Sequence, residues 1–215
     1  MKEIGQIKKI SIWIFIIPLV VINLCLFISI NGHLLQTTIF QVDAIGRSSF
    51  TIPYIDGGVS ISRIVRTYPS YLLFKPGMII TAILLIRYWS LNKQLMTEIN
   101  YENKKSINLF FYFGILSAIF LIFHAIFLGI KFDNDFYKIF RKLILLLFII
   151  FEICAQSFLV INLYKSLNKI SDFINKKMLN FKAILVSTLI IVIIVCAPIV
   201  VQEGNIKFKH ALEWD

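Results

Sequence analysis

This sequence predicts an all-α membrane protein, a polytopic bundle of five transmembrane helices. Three observations carry the prediction. Hydrophobic residues make up 58% of the 215 and charged residues 16%, against about 45–50% and about 25% in soluble chains. Mean hydropathy is +0.82, so a soluble fold would leave more apolar surface in water than such folds tolerate. The apolar residues also fall into long runs, close to the ~20 residues that cross a ~30 Å hydrocarbon core as a helix.

Taken in order, residues 10–30 form the first run. Lys8 and Lys9 precede it as they would a secretory signal, but the run exceeds a signal's usual core and no small-residue cleavage site follows. It is read as an uncleaved helix. Residues 71–89 form the second span, interrupted by Lys75 and by Pro76-Gly77; a spanning helix tolerates Pro when neighbours satisfy the freed carbonyl. Residues 108–130, 143–163 and 183–202 complete the five. Between the last two, Leu167, Ile170, Ile174, Met178 and Phe181 recur at helical spacing among lysines, so segment 165–182 reads either as a short amphipathic helix on the inner leaflet or as a solvated loop. The whole chain is one integral membrane domain.

The net charge of +10 does not indicate nucleic acid, because the cations lie in short segments between apolar runs, where they set topology and meet anionic headgroups. With the N-terminus inside, 12 Lys and Arg fall inside, 9 outside, and Lys75 lies within a span. That modest bias favours an inner N-terminus. Cys25, Cys154 and Cys196 all sit in apolar runs and read as packed thiols. His33, His124 and His210 are too scattered for a metal site, and no cofactor motif is present. Metalloprotease, Walker and nucleophile-elbow patterns are missing as well.

Residues 31–70 are the one long hydrophilic connection, and loops of this length commonly fold or serve function. The alternation in Thr51-Ile52 and Val59-Ser60-Ile61-Ser62, with Gly57-Gly58 between, predicts short extended pieces around a turn. The expectation is a small ordered cap over the outer helix ends. Arg63, Arg66 and Asp56 are its candidate headgroup contacts, joined by Lys75 and Gln156 from the spans.

Within that loop, Pro53-Tyr54-Ile55-Asp56-Gly57-Gly58 resembles the Pro-x-Ile-(Ser)-Asp-x-Gly pattern of the DRAM/Frag/Sfk family of polytopic membrane proteins. That family includes autophagy modulators and proteins that remodel GPI-anchor lipids. His210-Ala211-Leu212-Glu213-Trp214 is similar to the family's Glu-Trp entry into its last helix. Two departures stand out: no Ser separates Ile55 from Asp56, and Lys75-Pro76-Gly77 replaces a more apolar stretch. The resemblance implies six helices. Thirteen residues after Gln202 cannot span a bilayer, so the expectation is a chain that stops where the sixth would begin. It also implies a role in membrane-lipid organisation or lipid-anchor remodelling, with membrane lipids as partners. The address implied is a Golgi or lysosomal membrane in a eukaryote, or the inner membrane in a bacterium.

Ionisable residues at bilayer depth are functional candidates by default, since each costs ~2.5–3.5 kcal/mol or more. Glu152 is central in the fourth span, with Gln156 one turn on along the same face. His124 lies in the third span, at a depth about 6 Å from Glu152 by helical rise. A Glu152–His124 pair is therefore expected, with Lys75 nearer the outer mouth. Ser117, Thr188, Ser11 and Asn23 read as ordinary helix-contact residues. The leading expectation is non-covalent lipid binding. A lipid acyltransferase or hydrolase with Glu152 and His124 as acid and base is the alternative, and a proton-linked transporter using Glu152 is the third.

Overall fold

A computed structural model describes residues 2–99, 104–130, 135–170 and 175–201, together with His210. The architecture is an all-α helical bundle, with no strand among the described residues. Five long helices are apolar enough to cross a membrane: α1 (Lys2–Ile30), α4 (Ser70–Ile99), α5 (Lys104–Phe127), α6 (Asp135–Lys165) and α8 (Lys176–Val201). Each extends past its apolar run at one end or both, because the polar flanks continue the helix. The fourth, expected over 143–163, runs from Asp135 to Lys165.

Successive helices run antiparallel, α1 on α4, α4 on α5, α5 on α6, and α6 on α8. The centre of the bundle is α4 and α5, whose most apolar stretches are 39% and 33% buried, against 11% for α8. Their faces explain the difference. On α4, Phe74, Met78, Ala82, Leu85 and Trp89 recur at helical spacing and are buried; on α5, Phe110, Gly114, Ser117, Leu121 and Ala125 do the same. Between α5 and α6 the rings of Phe113 and Phe120 stack on Phe151 at 5.8 and 5.5 Å, and Phe113 stacks on Phe158 at 5.8 Å. Each helix offers rings seven residues apart, so the pairs repeat two turns on. The outward face of Ile, Leu, Val and Phe, such as Phe15, Phe27, Ile83 and Ile194, is exposed, as hydrocarbon contact requires.

Pro76 lies inside α4 and the helix continues through it. Gly77 permits the close approach of α1 there, since a Cβ would come within 2.7 Å of Val21.

The 31–70 connection carries short helical pieces joined by turns and irregular backbone. It contains 3-10 turns at Gly32–Leu35 and Ala44–Gly46 and two short helices, α2 (Pro53–Asp56) and α3 (Ile61–Val65). No strand forms at 51–52 or 59–62: Thr51-Ile52 is neither helix nor strand, Ser60 is extended, and Ile61–Val65 is helical. Four alternating residues are too short a signal to separate strand from helix. The deciding features are local: Pro53 opens α2, Ser60 Oγ accepts from the Arg63 amide at 3.3 Å to cap α3, and Ile64 and Val65 then point into the core. Val59 is buried with them in the same core as the spanning helices, so the cap is packed onto the bundle.

Within segment 165–182 the described helical residues belong to three pieces. Lys165 ends α6, Leu167–Ile170 is a single helical turn (α7), and residues 176–182 open α8; Ser171–Ile174 lie outside the described residues. Tyr164 donates to Asn180 Oδ1 at 2.6 Å, which ties the start of α8 to α6.

Candidate functional site

Glu152 is half-buried midway along α6. Its Oε1 accepts from Gln156 Nε2 at 2.9 Å and its Oε2 from Ser117 Oγ at 2.6 Å. Ser117 Oγ also lies 2.9 Å from the Gly114 carbonyl, and one hydroxyl hydrogen serves only one acceptor at a time. Were the carboxyl neutral, Glu152 would donate to Ser117 and leave the Ser117 hydrogen for Gly114. Trp89 of α4 packs its indole over Gly114, where any side chain would collide with the ring. The indole Nε1 has no hydrogen-bond partner and is buried, as is Gln156 Oε1. Trp89 thus borders the Ser117–Glu152 pair. Lys182, from α8, donates to the Tyr88 hydroxyl at 3.4 Å. Three helices, α4, α5 and α6, thus supply one polar cluster inside an apolar bundle, with a free donor and a free acceptor in it.

His124 is not in that cluster. It stands two turns from Ser117 along α5, and the carboxyl of Glu152 is taken by Ser117 and Gln156. The depth arithmetic placed His124 and Glu152 at nearby levels; it contained nothing about the azimuth of each side chain. Among the described residues no hydrogen bond joins Glu152 and His124; the carboxyl's partners are Ser117 and Gln156. Lys75 lies at the cap end, donating to the Ile126 carbonyl at 3.3 Å and standing 5.6 Å over the Tyr71 ring.

The cap is built on the Pro53–Gly58 segment. Asp56 Oδ1 accepts from Thr51 Oγ1 at 2.6 Å and from the Gly58 amide at 2.8 Å, while Oδ2 accepts from the Ile52 amide at 3.0 Å. Gly57 terminates α2 with φ of 56°, a left-handed conformation that favours glycine. Gly58 lies against Thr51, with no room for a side chain. Tyr54 and Asn23 of α1 exchange hydrogen bonds at 3.0 and 3.2 Å, fastening the cap to the bundle. Pro53 is buried, whereas Ile55 is 81% exposed. Asp56 is thus spent on holding the turn. His210 Nδ1 lies 3.2 Å from the Gly57 carbonyl. Glu213 and Trp214 lie outside the described residues.

Under the cap, a half-open groove of about 370 Å³ runs between α1 and α4. Phe27, Leu34, Leu35, Phe40, Leu72 and Leu73 line it, and Asn31 is its one polar side chain. On the other flank of the cap, Arg63 and Arg66 are exposed at the end of α3. The Arg66 guanidinium is held below its ordinary value by partial burial, then by Arg141 and Arg63 facing it.

Ser117 and Trp89 carry this cluster without having stood out in the sequence. Gly114 and Ser117, three residues apart in a span, were a usable signal, since small residues allow close helix approach. Nothing in the sequence points to Trp89 bordering the Ser117–Glu152 pair, because it comes from another helix. No group of His, Cys, Asp and Glu among the described residues suits a metal ion. The five apolar helices define a multi-pass helical membrane protein. Compared with family models, curated proteins and solved structures, the chain finds no match.

Proposed function

We propose that this protein binds a membrane lipid non-covalently at the cap end of its bundle, seating an acyl chain in the groove between α1 and α4. The groove carries the reading: it is concave, almost wholly apolar, and opens at the level where the cap meets the spans. Ligand sites of this kind pair an apolar wall with a few polar groups. The resemblance of Pro53–Gly58 to the DRAM/Frag/Sfk pattern supports a role in organising lipid or assisting lipid-anchor remodelling. The cap end is the outer face under the charge-derived topology. The membrane is the inner membrane if the source is bacterial, or a Golgi or lysosomal membrane if eukaryotic.

Mass spectrometry of lipid co-purifying with the full chain tests the reading. Wild-type protein retains lipid, and Leu72→Trp, which fills the groove, loses most of it. An identical lipid complement in both would overturn the assignment. The Glu152 cluster favours a second reading, proton-linked transport, because its unpartnered Trp89 donor and Gln156 acceptor flank an ionisable group. Under that reading, Glu152→Gln abolishes proton-coupled uptake in vesicles while the protein remains folded.

A further inference from the structure

We propose that the cap is an interfacial element immersed in the leaflet at its end of the bundle, with Leu34, Ile39, Phe40, Ile52 and Ile55 against acyl chains of the surrounding bilayer. These five side chains are 46–83% exposed. The same cap buries Val59, Ile64 and Val65 almost completely, so a core was available and the five are turned away from it. Exposed apolar surface of this kind marks contact with a membrane or with protein. Continuity, depth and backbone pairing all identify lipid as the occupant.

Leu34 and Phe40 line the same groove as Phe27, Leu72 and Leu73, which are exposed on the spanning helices α1 and α4. Asn31, the one polar side chain of that groove, turns its amide back to the Phe27 carbonyl at 3.0 Å. No polar ring therefore divides the cap from the lipid-facing wall of the spans. Ile39 adjoins this surface: its carbonyl accepts from the Tyr68 hydroxyl at 2.7 Å, and Pro69, the next residue, lines the groove. Depth agrees. The apolar run 10–30 of α1 is about 31 Å long as a helix and by itself fills a hydrocarbon core of ~30 Å. Tyr54 of α2 meets Asn23 at 3.0 and 3.2 Å, about 10 Å short of the end of that run. Next to it, α3 packs on α1 and α4, and Val59, Ile64 and Val65 belong to the core of the spanning helices. Ile52 and Ile55, on either side of Tyr54, thus stand at the acyl boundary.

The backbone meets the condition that lipid imposes. A backbone polar group facing hydrocarbon must find its partner within the protein. Beside the exposed apolar residues, side chains supply those partners. The Ile39 carbonyl has Tyr68, the Phe40 amide donates to Thr38 Oγ1 at 3.2 Å, and the Leu35 carbonyl accepts from the same hydroxyl at 2.9 Å. The Ile52 amide donates to Asp56 Oδ2 at 3.0 Å. In a loop surrounded by water, solvent serves such groups equally well. Gln36, Thr37 and Gln41 are exposed among the apolar residues and meet headgroups. Interfacial elements of this kind sink their apolar residues about 5–10 Å into the headgroup–acyl boundary.

The test is fluorescence quenching of a bimane label on Ile39→Cys, Ile55→Cys or Ser49→Cys in the full chain, held in phosphatidylcholine nanodiscs. Cys25, Cys154 and Cys196 are changed to Ala so that each variant carries one label. Ser49, an exposed polar residue of the cap, is the control. Aqueous iodide quenches the labels at 39 and 55 about threefold or more weakly than the label at 49, and nitroxide-labelled phosphatidylcholine quenches both. Iodide quenching at either position equal to that at 49 would place the cap in water and overturn the proposal. Quenching by neither agent would mean that protein, a second copy of this chain included, covers the surface, and overturns it equally. Should a labelled variant not fold, Ile39→Trp and Ile55→Trp report without a label: brominated phosphatidylcholine quenches the added emission, and emission insensitive to it overturns the proposal. Ile39 and Ile55 are outside the groove lining, so this surface and the groove succeed or fail separately.

Discussion

Glu152, Ser117 and Gly114 form a chain in which the number of hydrogens limits what each position accepts. An amide in place of the carboxyl still donates to Ser117 and still accepts from Gln156. Glu152→Gln is therefore expected to lie within about 1 kcal/mol of wild type in stability, whereas Glu152→Ala leaves Ser117 and Gln156 under-satisfied and costs about 1–3 kcal/mol. Thermal unfolding in detergent reads both; equal losses would mean that packing, and not the hydrogen-bond chain, holds the site. Gly114→Val forces the Trp89 indole aside, with an expected loss of about 1–3 kcal/mol from overpacking. Fluorescence of that variant should show a more exposed tryptophan, and an unchanged spectrum and midpoint would contradict the packing described. At this scale the sequence exposed the candidate, because Glu152 is conspicuous in an apolar run. It hid the partners, because Ser117 and Trp89 are ordinary residues until three helices meet.

The elements were legible in proportion to their length. Runs of about twenty apolar residues gave every spanning helix, even α4, where Lys75, Pro76 and Gly77 weaken the pattern. Lys75 is accommodated by the Ile126 carbonyl and the Tyr71 ring, partners supplied by α5 and the preceding turn. The cap was harder. Its short apolar alternations suited strand or helix; Pro53 and the left-handed Gly57 bound one short helix, and the Ser60 cap opens another at Ile61. Gly57→Val places a β-branched residue at φ of 56°, at a cost of about 1–2 kcal/mol. The expected result is a cap cut faster by protease while α1 and α4 remain helical by circular dichroism. Cleavage at the wild-type rate would show that the turn does not hold the cap.

For the whole molecule, the alternating direction of five helices fixes which loops share a face. Ser49, in the cap, and Lys105, at the start of α5, belong to opposite ends of the bundle. Cysteines placed at these two positions should react with a membrane-impermeant thiol reagent from opposite sides of sealed vesicles. Labelling of both from one side would remove α4 as a membrane span. With the N-terminus inside, as the Lys and Arg distribution favours, Ser49→Cys labels from outside.

Composition and run length determined by themselves that the chain is a multi-pass helical protein, because lipid leaves helices as the economical way to satisfy every backbone group in such runs. They also singled out Glu152, His124 and Lys75, since charge is conspicuous where hydrocarbon is expected. The neighbours of each were decided by tertiary structure alone. Rise along a helix is the same for every sequence, so depth could be reckoned in advance. The rotation of one helix against another depends on how Gly77 meets Val21 and Trp89 meets Gly114. Those contacts turned Glu152 toward Ser117.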